Sequence, residues 1–156
     1  MLEHDEKIAL INKALSSVAE NVELLTGQRG NNRINLLMSI LHQIAKDCGE
    51  PELPQQIYEA CLNKQAFLFV RDRAGWVLKP ISDDGIPGVL VWAAWSERAD
   101  GLNEYTEFVK FLSRKIGARF IRFHTVRKGF IRVASKYGWQ RKDDDSMGRM
   151  IFEMTL

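Results

Sequence analysis

The stretch from Gly88 to Trp139 constrains the fold more than any other part of the chain. GVLVWAAWS, residues 88–96, is apolar, aromatic and of strand length. ARFIRFHTV, residues 118–126, is a second such run and suits a strand covered on both faces. Between them Leu102, Tyr105, Phe108, Val109, Leu112 and Ile116 recur at helical spacing, and Gly117 ends the helix. A helix joining two neighbouring strands of one sheet makes them parallel, with a right-handed crossover. GFIRVASKYG then reads as a short helix with a glycine stop.

The flanking segments fill in the rest. AFLFVRD and WVLKPI read as two strands, with Ala74-Gly75 marking a tight hairpin between them. SDDGIPG reads as a longer turn before the next strand. The tail from Trp139 to Leu156 reads as two strands around the turn DDDSMG. At the N-terminal end, Ile8, Ile11, Leu15, Val18, Val22 and Leu25 form a stripe predicting a helix from about residue 3 to 25. Its last turn, VELL, could instead be a short first strand. TGQRGNN is a loop, and helices follow at about Arg33–Asp47 and from Pro54 through Asn63, with Cys61 turned inward. The expected fold class is α/β: a mixed, mostly antiparallel sheet with a central parallel pair and flanking helices. Residues 1–21 are expected as a helical extension. It lies on its own domain, residues 22–156, or docks on a protein partner or a second copy.

The 156 residues are enough for one domain, and 46% hydrophobic with 27% charged argues against disorder. No apolar run is long enough to span a bilayer. The acidic start MLEHDEKIAL does not resemble a secretory signal, and two cysteines make no disulfide framework. A cytoplasmic place in the cell is therefore expected, and no paired Cys/His spacing suggests a metal. Charge is unevenly spread. Lys110 to Lys142 holds eleven Lys and Arg with no acid, leaving eleven basic and twenty acidic residues elsewhere. Arg119, Arg122, Arg127, Lys128 and Arg132 are thus candidates to meet nucleic acid or another phosphate-bearing ligand. The alternative is that they are solvated outer positions.

The element order, with Gly138-Trp139 closing the last helix, resembles the GNAT superfamily of acyl-CoA-dependent N-acyltransferases over about residues 22–156. The wording LVWAAWS…GARFIRFHTVRKGFIRVASKYGW is also similar to compact GNAT-like proteins of tailed phages and prophages, some of which are virion components. The resemblance implies acetyl-CoA as the substrate if the chain is active. Its pyrophosphate would meet backbone N–H groups at the start of the helix that follows Trp95, where the helix dipole favours an anion. Arg98 and Gly101 match the family's pattern there, whereas Asn103 stands where the family has Gly or Ala. Asp100 would cap this helix, and Glu97, Glu104 and Glu107 add negative charge. The tyrosine that protonates the leaving thiolate in the family falls on Ala134. Glu97 or His124 would serve as the base. The reading expected first is a degenerate, phage- or prophage-type binding or virion-associated protein without cofactor. An active acetyl-CoA-dependent N-acetyltransferase is the alternative, and nucleic-acid binding through the basic segment is a third.

Overall fold

In a computed structural model, the structure describes residues 4–17, 19–21, 31–71, 74–96 and 101–156. Among the described residues three helices come first: α1 (His4–Ser16), α2 (Asn31–Cys48) and α3 (Leu53–Leu62). Strands β1 (Phe67–Arg71), β2 (Ala74–Asp83) and β3 (Ile86–Ser96) follow, then α4 (Gly101–Lys115) and β4 (Phe120–Thr125). The chain ends with α5 (Phe130–Lys136), β5 (Gln140–Lys142) and β6 (Met150–Thr155). One six-stranded sheet has the order β1-β2-β3-β4-β6-β5. Its pairs are antiparallel except for β3 and β4, which run parallel across the α4 crossover, as the strand–helix–strand pattern requires.

The sheet is covered on both faces. Alternation along β1 sends Phe67 and Phe69 to one face, where Ile11 and Leu15 of α1 and Val109 and Leu112 of α4 meet them. Leu68 points to the other face, against Leu41 of α2 and Ile57 of α3. Phe123 of β4 faces the α4 side, edge-on to Trp139 at 4.8 Å and stacked on Phe152 at 5.1 Å.

Alternation breaks once in β3. The register steps from Val77↔Ala93 to Leu78↔Val91, so Trp92 is an extra residue, a β-bulge. Val91 packs on the α1/α4 face, whereas Ala93 belongs to the α2/α3 face. Without the bulge, residues 91 and 93 would share a face.

Three local expectations are corrected. The first helix ends at Ser16, not near residue 25, and residues 22–25 lie outside the described residues. Leaving the helix lets the chain finish the β1 edge. The Glu20 N–H donates to the Leu68 carbonyl at 2.9 Å. The buried Asn21 side chain donates to the carbonyls of Ala66 and Cys61 and accepts from the Leu68 N–H. The turn before β3 has two residues, Asp84 and Gly85, both at positive φ, with Asp83 paired to Ile86. An Asp-Gly pair at positive φ matches the twist of the strands it joins. Ala74 and Gly75 are strand residues paired to Arg71 and Val70. Gly75 is needed because the Trp95 ring lies where its Cβ would be.

Gly75→Ala is therefore expected to lower stability by about 1–3 kcal/mol through overpacking against Trp95. Urea denaturation checks it, and the same substitution made together with Trp95→Ala should cost much less than it does alone.

Candidate functional site

Strands β3 and β4 pair only at Val89↔Ile121 and Leu90↔Arg122 and then part. The parting opens a cavity of about 410 Å³ between residues 90–96 of β3 and Phe123–Thr125 of β4. Beyond Leu90 the β4-facing edge of β3 carries backbone groups not laddered to β4, and the bulge at Trp92 lies on this stretch. Such a gap, at the carboxyl ends of parallel strands, is where sheets of this kind take ligands. Trp92, Trp95 and Phe130 supply apolar wall, joined from α2 and α3 by Ile44 and Leu53.

The opposite wall is polar. His124 stands on β4 with its side chain on the face opposite Phe123. His124 Nδ1 lies 2.8 Å from Asp145 Oδ2. Asp145, in the loop between β5 and β6, is not in the cavity lining; it stands behind the histidine. Its Oδ1 accepts the backbone N–H groups of Met147 and Arg149, both at 2.9 Å. Its Oδ2 also accepts Arg149 Nε at 2.7 Å. Arg149 Nη1 then donates to Glu50 Oε1 at 2.8 Å, tying this loop to the junction of α2 and α3. Partial burial of Asp145 opposes its charge. The bonds from His124, from the Arg149 backbone and side chain, and from Met147 outweigh that and hold the carboxyl well below the usual range.

The thiol of Cys48 also faces the cavity. Burial first, then the neighbouring Glu50, raises its pKa above the ordinary thiol value, so it is poorly suited to act as a thiolate. Burial pushes Cys61 up to about 12, in keeping with a core residue.

Of the residues singled out from sequence, Trp95, His124 and Arg127 line this one cavity. Gly101 and Asn103 fall in the first turn of α4, while Glu97 and Arg98 lie outside the described residues. Ala134 is fully buried in the core, and neither it nor Tyr137 lines the cavity. The basic candidates are dispersed. Arg119 precedes β4, whereas Arg127, Lys128 and Arg132 follow it at the other end. Arg122 is paired with Glu153 at 2.8 Å and with Asp83, and Arg127 with Asp47 at 3.1 Å. Among the described residues no group of acids, cysteines and histidines could hold a metal, and no helix is long and apolar enough to cross a membrane.

Asp145, Arg149 and Glu50 were not among the candidates from sequence. Asp145 is the third of three consecutive aspartates, and nothing in that run sets it apart. The i,i+4 spacing of Asp145 and Arg149 is the one trace available, and in a loop it carries little weight.

Comparison with known proteins places the fold. The chain aligns with a GNAT-family acetyltransferase from Listeria monocytogenes at 14% identity, over 80% of this chain and 88% of that one, with a TM-score of 0.58. It aligns with a GNAT-family acetyltransferase from Elizabethkingia anophelis, solved with acetyl-CoA bound, at 12% identity, over 76% and 89%, with a TM-score of 0.57. A Drosophila melanogaster polyamine N-acetyltransferase matches at 11% identity, over 88% and 95%, with a TM-score of 0.59. The fold is thus that of the GNAT acetyltransferases. No protein-family model and no curated protein sequence matches the chain.

The depressed pKa of Asp145 gives a signed prediction. An aspartate whose folded-state pKa lies below its unfolded value of about 3.9 stabilises fully above that value, and the contribution is lost as pH falls toward the folded-state pKa. Asp145→Asn should cost about 1.5–3 kcal/mol at neutral pH, the scale of hydrogen bonds to a charged group. The gap to the parent should close as pH is lowered from about 5 toward 2. Urea midpoints across that range check it, and a gap that stays constant contradicts the assignment.

Proposed function

We propose that this chain binds an acyl thioester of the acetyl-CoA type in the cleft between β3 and β4 and transfers the acyl group to an amine. The observation that carries the proposal is the parting of the two parallel strands beside His124. An extended ligand bearing amides suits the edge of β3 beyond Leu90, which is not laddered to β4. Apolar walls at Trp92 and Phe130 suit an acyl group and its methylene chain. One protein of this fold was solved with acetyl-CoA bound.

In this reading His124 is the general base. The amine nitrogen attacks the thioester carbonyl and gives up one proton, which the imidazole takes. The carbon–sulfur bond breaks, and the thiolate leaves and takes a proton from solvent. An imidazole is apt because its ordinary pKa lies close to neutral. Glu97 remains the alternative base from the sequence. Gly101 and its neighbours at the start of α4 are the candidates to meet the pyrophosphate, with Trp95 and Arg98 before them and Asn103 after.

A second reading has its own support. Ala134, at the place of the family's tyrosine acid, is wholly buried and offers no hydroxyl to the cleft. Together with the acidic residues around the start of α4, it favours a binding protein of phage or prophage type that has lost transfer. Such a protein would have its partner as its function, within a host cell or a virion.

Calorimetry with acetyl-CoA, followed by an acetylation assay on a panel of amines, separates the two. The first reading expects micromolar binding and transfer that falls by about 10²–10⁴-fold in His124→Ala. Binding without transfer supports the second. Absence of binding overturns the first.

A further inference from the structure

The cleft wall holds a chain of four side chains that the acyl-transfer reading uses only at its first member. His124 lines the cavity and meets Asp145 at 2.8 Å; Arg149 meets Asp145 at 2.7 Å and Glu50 at 2.8 Å. These residues come from β4, the β5–β6 loop and the α2–α3 junction. We infer that Asp145 is a positioning residue that fixes His124 in the tautomer with the proton on Nδ1, and that Arg149, held by Glu50, fixes Asp145.

The division of labour between the two oxygens of Asp145 supports this. Oδ1 accepts two backbone N–H groups and so locks the carboxylate into its own loop. Oδ2 is left to take the imidazole and the guanidinium. Arg149 Nε is a donor that cannot reverse its role, so Oδ2 must remain an acceptor. An ionised carboxylate only accepts, and the pair therefore needs its proton on His124 Nδ1. Nε2 then carries the lone pair. A neutral imidazole in this form can accept a proton only at the nitrogen away from Asp145. The other charged or titratable groups lining the same cavity are Glu50, Arg127, Arg149 and Cys48. Among the described residues Asp145 Oδ2 is the carboxylate oxygen bonded to the ring.

The catalytic consequence rests on the proposed acyl transfer, but the tautomer does not. The test begins with nitrogen-15 histidine labelling and long-range proton–nitrogen correlation at about pH 8, where imidazole is ordinarily neutral. The parent protein should show His124 with Nδ1 protonated and Nε2 bare. In Asp145→Asn the amide oxygen can keep both backbone bonds, which places the amide NH₂ against the ring. His124 Nδ1 must then become the acceptor, and the signals should move to the Nε2-protonated form. A parent protein already in the Nε2-protonated form overturns the inference, and so does a folded variant whose tautomer is unchanged. The parent measurement decides the first point even if the variant fails to fold.

If acetyl transfer is found, kcat in Asp145→Asn should fall by about 10²–10⁴-fold, with KM for acetyl-CoA changed less than about twofold. An active variant with parental kcat removes the positioning role and leaves the acyl-transfer reading intact. If no transfer is found, the tautomer is still read from the spectra, so the two failures are distinct.

Discussion

Two strands that pair for two residues and then separate create the space on which the rest of this molecule's chemistry depends. A fully laddered β3–β4 pair would close the sheet, satisfy its own backbone groups and leave nothing to bind. Parallel strands, joined by a crossover, need no turn to bring their far ends together. Antiparallel neighbours on both sides hold the sheet intact while this one seam opens. The bulge at Trp92 adds to it by turning the end of β3 over, so that Ala93 packs on the α2/α3 face. The mouth of the gap is thereby lined by residues that regular alternation would have sent elsewhere.

On the far side of the gap, the aromatic packing beneath β4 makes the polar wall possible. Phe123 sits between Phe130, Trp139 and Phe152 on one face, which leaves the neighbouring His124 to project from the other. A half-buried imidazole needs a partner, and a half-buried carboxylate needs more than one. Asp145 meets four donors, and Arg149 meets two carboxylates. The charges are shared out among segments distant in sequence, so the wall is fixed by the folded chain as a whole.

The architecture was legible because it follows from periodicity. Apolar runs of strand length around an amphipathic helix admit one parallel crossover, and the order of elements carried the rest. Details failed where one residue type serves two purposes. Gly75 looks like a turn residue but is a strand position cleared for the ring of Trp95. Asp84-Gly85 is a complete two-residue turn, although the polar and proline residues around it suggest a longer one. The stripe through residue 25 overstated α1 because a hydrophobic pattern cannot register that Glu20 and Asn21 are wanted at a sheet edge. In the site, Trp95 and His124 stood out as an aromatic and a histidine at strand ends. Asp145 did not, since its importance lies in its bond to His124, 21 residues away. A contact between distant segments leaves no mark on a single sequence.

The Asn21 carboxamide has a consequence of its own. An outermost strand offers bare hydrogen-bonding groups, and proteins usually blunt such a border with charge, proline or a covering loop. Here, beside the Glu20 N–H, a side-chain amide gives and receives as a peptide group would along Ala66 and Leu68. With the Leu68 carbonyl taken by the Glu20 N–H and its N–H taken by Asn21, this residue has both backbone groups paired from within the chain. A side chain that looks like a minor local brace therefore also keeps the Leu68 N–H from pairing with anything outside the chain.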